Sequence, residues 1–146
     1  MKHIDRWIAL ALTVAVLPLS ACQGRSEVAA GSAEPASLEP VEGTDRSRVI
    51  LTAKAAERLG IQTAPVRPGE GAQAQQSLIP YSAVVYDPNG ATWTYVSPEP
   101  LTFVREPITI DRIDGDRAFL LDGPPAGTPV VTVGAAELYG TELGVE

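Results

Sequence analysis

The sequence predicts a mainly β fold, a small barrel or roll of about seven short strands with one or two short helices. Three observations carry this expectation. Short runs rich in Val, Ile, Thr, Tyr and Phe recur from residue 47 onward, too brief for helices. Thirteen glycines and thirteen prolines supply a turn between most of these runs. Helical spacing holds over only two short stretches. With 146 residues there is room for one small domain and little else.

The elements follow in order. Arg48-Val49-Ile50-Leu51-Thr52 is a short strand. Ala53 to Leu59 makes a brief helix, with the Thr52 hydroxyl placed to cap its first turn and Gly60 to end it. Ile61 to Val66 returns to strand, and Pro68 to Gln76 forms a loop. Ser82 to Tyr86 reads as a strand entering the Asp87-Pro88-Asn89-Gly90 turn, and Thr92 to Val96 comes back as its hairpin partner. Ser97-Pro98-Glu99-Pro100 turns the chain into Leu101 to Arg105, with Pro107 suited to an edge or bulge. Ile108 to Ile113 alternates apolar with polar, Asp114-Gly115-Asp116 turns, and Ala118 to Leu121 follows. After the Gly123 to Gly127 loop, Val130 to Val133 is the last strand, and Ala135 to Tyr139 a short helix ending near Gly140.

Upstream of this region the chain reads differently. Lys2 and Arg6 precede an apolar run from Trp7 to Leu17. As a helix that run is roughly 16 Å long, well short of a bilayer core of about 30 Å. Its layout is that of a signal peptide spanning residues 1–21. Leu19-Ser20-Ala21-Cys22 resembles the lipobox of bacterial lipoproteins. That resemblance implies cleavage before Cys22, lipidation of its thiol, and anchoring of the chain to a membrane facing a compartment outside the cytoplasm. Acyl chains contribute about 0.8 kcal/mol per buried methylene, so two or more anchor stably. Residues 23–46, poor in large apolar side chains and acidic, read as a flexible tether with an end-to-end distance of roughly 27 Å.

The charge balance, 18 acids against 11 bases, argues against nucleic-acid binding, which needs clustered Lys and Arg. His3, Cys22 and Met1 are the one histidine, cysteine and methionine. The chain after cleavage therefore has no His for a Ser-His-Asp triad around Ser82, no Cys/His zinc set and no methionine for soft metals. The glycines form no phosphate-binding loop. The expectation is a protein with no catalytic residue, no metal and no cofactor.

Four segments resemble the membrane-proximal domain of periplasmic adaptor subunits (membrane fusion proteins) of efflux systems. They are Val49-Ile50-Leu51-Thr52 with Ala56 to Thr63; Ile79-Pro80-Tyr81-Ser82-Ala83-Val84-Val85; Trp93 to Val96 with Phe103 to Ile108; and Gly127 to Gly134. A full adaptor inserts a barrel domain, a lipoyl-like domain and a helical hairpin between its opening and closing segments, whereas here only Arg67 to Gln76 intervenes. The resemblance implies a truncated adaptor, residues 47–146, on a lipid tether. Its partners would be the membrane through the lipid and an efflux transporter or full-length adaptor. The rival reading is a stand-alone lipoprotein whose β domain binds a lipid or hydrophobic ligand.

Candidate site residues are few. Cys22 is the lipidation site. Trp93, Tyr95 and Phe103 are candidates for a partner-binding surface, with core packing as the competing reading in a domain so short of aromatics. Asp111, Asp114, Asp116 and Asp122 form the densest carboxylate group, but their spacing fits a solvated turn rather than a calcium loop. Glu137 and Glu142 read as solvent-facing residues near a helix end.

Overall fold

The computed structural model describes residues 34–69 and 76–144. The expected signal peptide, Cys22 and residues 23–33 of the expected tether lie outside the described residues. Eleven strands and two helices follow one another as β1 (Ala36–Pro40), β2 (Ser47–Leu51), α1 (Ala53–Leu59), β3 (Gln62–Pro65), β4 (Arg67–Pro68), β5 (Ser77–Pro80), β6 (Val85–Tyr86), β7 (Thr92–Glu99), β8 (Thr102–Pro107), β9 (Thr109–Asp114), β10 (Arg117–Asp122), β11 (Pro129–Val133) and α2 (Ala135–Leu143). They form two antiparallel sheets. One runs β1-β2-β8-β7-β11-β3, with β6 also paired to β7; the other runs β4-β5-β10-β9. The expected mainly β domain with a few short helices is what the chain forms, as two sheets rather than a closed barrel.

Both faces of the larger sheet are covered at its central strands. On one side Val49, Tyr95, Phe103 and Val131 pack beneath Ala55 of α1 and Ala135 and Leu138 of α2. On the other, Val96 and Val130 meet Ile79, Ala118 and Leu120 of the smaller sheet. Neighbouring residues Tyr95 and Val96, or Val130 and Val131, point to opposite faces and are all buried. A strand covered on both sides loses its apolar–polar alternation.

The short helix forms as its sequence dictates. Thr52 Oγ1 accepts from the Ala55 N–H at 3.2 Å, and Gly60, at φ +64, ends the helix with its N–H on the carbonyls of Ala56 and Glu57.

Four expectations are corrected. Residues 36–40, read as tether, form β1, paired with β2 from Ala36 opposite Leu51 to Pro40 opposite Ser47. Backbone pairing needs no apolar pattern, so a polar segment beside an open edge is drawn in. Residues 81–83 form a 3-10 turn, leaving only Val85–Tyr86 as strand. β7 continues through Ser97-Pro98-Glu99, and the reversal falls at Pro100-Leu101, where Leu101 adopts φ +62. Finally α2 runs through Gly140 to Leu143, because Ala135, Leu138 and Glu142 share one buried face.

Candidate functional site

The three aromatic candidates separate in the structure. Tyr95 and Phe103 lie in the core between the larger sheet and the helices, so neither offers a partner surface. This corrects the surface reading for both, and the cause is the helical layer laid over β7 and β8. Trp93, on β7 opposite Pro107, is half-buried and lines a shallow hollow of about 650 Å³ with Thr44, Asp45, Arg46 and Pro107. Cys22 lies outside the described residues.

Behind Trp93 sits a polar cluster that sequence reasoning missed. Arg105 on β8 and Glu142 on α2 meet in the interior, their side chains 7% and 3% exposed. Arg105 Nε lies 3.0 Å from Glu142 Oε2 at an angle that makes it an ion-pair approach without a hydrogen bond. The NH2 group of Arg105 donates to Oε1 at 3.3 Å. The Tyr95 hydroxyl donates to Oε2 at 2.5 Å, and the Ser47 N–H to Oε1 at 3.1 Å. Arg46 closes the cluster from β2's side, its guanidinium donating to the Arg105 carbonyl at 2.6 Å. The Arg105 guanidinium is further packed 4.4 Å from the Trp93 ring centroid and 5.4 Å from that of Tyr139.

The electrostatics follow from these contacts. Burial first, then the hydrogen bond to Glu142 and that residue's negative charge, push the Tyr95 hydroxyl well above its ordinary range. Asp87, in the β6–β7 turn, shows the reverse. Some desolvation opposes its charge. It is outweighed by donation from the Ala91 N–H, the Trp93 indole and the Asn89 N–H, and by the Arg105 charge, so its carboxyl is held below the usual range. One chain of contacts thus runs from Asp87 through Trp93 and Arg105 to Glu142, tying turn, sheet and C-terminal helix together.

Glu142, expected at the surface, is the acceptor at the centre of this cluster. Its spacing carried the signal: it stands four residues after Leu138 and seven after Ala135, on the face of α2 that the core demands. Arg105 likewise stands two residues after Phe103, on the same face of β8.

No family model, curated protein or solved structure matches the chain.

The remaining candidates stand apart. Asp111 pairs with Gln76 and Arg112, and Asp114 with Arg117, all at exposed positions. Among the described residues no group of three or more carboxylates converges to hold a metal ion. A second hollow, about 460 Å³, opens between β6 and the start of α2, lined by Val84, Val85, Tyr86, Ala135, Ala136 and Tyr139. The buried cluster itself, with its hydrogen-bonding atoms turned inward on one another, is suited to locking α2 down rather than to receiving a substrate.

Proposed function

We propose that this chain is a lipid-anchored protein of the cell envelope, an adaptor-like module that contributes protein–protein contacts to an efflux assembly and performs no catalysis. The observation that carries the reading is the way the adaptor-like segments are joined. The opening segment supplies β2 and β3, the closing segment β11, and the hairpin between them β7 and β8, all in one sheet. Such a union of opening and closing strands is what the resemblance implies for a membrane-proximal domain whose intervening domains have been removed. By the resemblance, the stretch Arg67 to Gln76 takes the place in the sequence of those domains.

The anchor supports the same reading. With β1 starting at Ala36, residues 23–35 separate the lipidated Cys22 from the first strand among the described residues. Their contour limit is about 45 Å. A domain on so short a leash works beside the membrane.

The test is crosslinking in living cells followed by affinity purification, with Cys22→Ser as the unanchored control. Capture of an inner-membrane transporter or full-length adaptor, weakened in the control, is the expected result. Capture of neither, with the protein stable and lipidated, overturns the assembly role.

The second reading, a stand-alone lipoprotein binding a lipid or hydrophobic molecule, draws on the hollow lined by Val84, Val85, Tyr86 and Tyr139. Native mass spectrometry showing a bound apolar ligand, lost in Val85→Asp, would favour it.

A further inference from the structure

The hollow between β6 and the start of α2 holds about 460 Å³, a volume in the range of small-molecule sites. Val84, Val85, Ala135 and Ala136 give it an apolar lining, and Tyr86 and Tyr139 line it as well. Tyr81 approaches Tyr86 closely enough for their hydroxyls to interact. That contact, ahead of burial, raises the Tyr86 hydroxyl above its ordinary range. Three of the chain's four tyrosines therefore gather at one place, the fourth being Tyr95 in the core. Tyr81 and Tyr86 are 40% and 50% exposed, so core packing does not account for them.

The charge at this hollow has one sign. Glu137 is the single charged side chain among the lining residues, and no Arg, Lys or His joins it. It is exposed and forms no ion pair among the described residues. An opposing contribution comes from the first turn of α2, whose Gly134 N-cap offers no side-chain acceptor to the free N–H groups there. A helix N-terminus carries about half a positive charge, whereas Glu137 places a full negative one in that same turn. The balance is negative. Nor is the Thr132 hydroxyl free to greet an anion, because it donates to the Gln62 carbonyl at 3.3 Å. The chain's net charge of −7 adds a long-range attraction for cations.

We propose that this hollow is a binding site for a small organic cation, a quaternary or protonated amine with an apolar body. The apolar body packs against the valines and alanines, and the ammonium group sits by the tyrosine rings with Glu137 as its counter-charge. Aromatic faces attract a cation through their quadrupole, and a weakly hydrated ammonium gains most from them. A hard metal ion is a poor fit, since it needs several oxygen ligands and the hollow offers one carboxylate. The inference rests on the ligand-binding reading of this hollow and names the ligand's class; it needs neither an efflux assembly nor the lipid.

The test is an NMR titration of the full chain in uncharged detergent at slightly acidic pH, with three phenols carrying a trimethylammonium, a tert-butyl or a sulfonate group in the para position. The three are similar in size and differ in charge, and their partition into detergent is common to every variant compared. The expected result is saturable shifts of the amides of residues 134–139 with the trimethylammonium probe. Its affinity is about tenfold above that of the tert-butyl probe, and the sulfonate binds least. Glu137→Gln brings the trimethylammonium probe down to the level of the tert-butyl one. Tyr86→Leu keeps apolar area, removes the ring and weakens the cation several-fold. A trimethylammonium probe that binds no better than the tert-butyl one, or no worse to folded Glu137→Gln, overturns this inference, while tert-butyl binding at those amides keeps the apolar-ligand reading. Binding by none of the three overturns both. If Glu137→Gln does not fold, Tyr86→Leu decides, and unchanged cation affinity overturns the proposal.

Discussion

Glu142, near the end of the C-terminal helix, holds its carboxylate 3.0 Å from the guanidinium of Arg105 on β8, and both side chains are almost fully removed from water. The two residues are far apart in sequence, and each would be costly to bury alone. Together with the Tyr95 hydroxyl and the Ser47 N–H they satisfy most of one another's polar atoms.

That arrangement makes the single and double substitutions unequal. Glu142→Leu leaves a buried guanidinium without its counter-charge and is expected to destabilise by about 3–5 kcal/mol. Arg105→Met combined with Glu142→Leu should cost much less than the two single changes summed, because neither charge is left alone. Urea unfolding of the four proteins measures the coupling. Additive losses would show that the pair does not act as a unit.

Tyr95 fixes the alkaline limit of stability. Its burial, and after that its bond to Glu142, raise its folded pKa, so its contribution is full below the unfolded value of about 10 and is lost as pH rises beyond it. The urea midpoint should hold up to that pH and then fall, and Tyr95→Phe should flatten the fall. An unchanged alkaline decline in Tyr95→Phe would assign it to other groups.

Thr94 is buried on the opposite face of β7 from Tyr95, and its hydroxyl has no hydrogen-bond partner among the described residues. A buried hydroxyl that is unpaired loses its hydration without compensation. Thr94→Val keeps the shape and removes the polar atom, so stability should rise by about 1 kcal/mol. A comparable loss in thermal or urea unfolding would contradict the unpaired state.

Gly134 joins β11 to α2 at φ +91, and a Cβ placed there would overlap Ile61 Cδ1. Gly134→Ala therefore strains the backbone and displaces a packed isoleucine together, and should destabilise by about 2–4 kcal/mol. Ile61→Val alongside should recover part of the packing share and none of the backbone share. Full recovery would place the whole cost in the contact.

Residues 52–60 show what local sequence can specify. A threonine hydroxyl, seven helix-compatible residues and a glycine able to reach positive φ define a helix with both ends, and nothing distant is needed. The turns at Asn89-Gly90 and Asp114-Gly115-Asp116 are legible for the same reason, since positive φ at Gly90 and Gly115 is a local steric matter. β1 was not legible, because its pairing depends on an open edge of β2 and not on its own side chains. β9's bulge was not legible either, since only the register with β10 separates Asp111 from an ordinary alternating position.

The sequence by itself determined the β class, the capped helix, most of the turns and the narrow chemistry open to a chain with one histidine, one cysteine and one methionine. These depend on backbone sterics and on which atoms are present, and both are written residue by residue. Only the tertiary structure decided that Tyr95 and Phe103 are core rather than surface, and that Glu142 is inside. Only it placed Arg105 between two aromatic rings and a carboxylate. Burial is set by what lies over a strand, and what lies over β7 and β8 is a layer of two helices formed from distant stretches of the sequence.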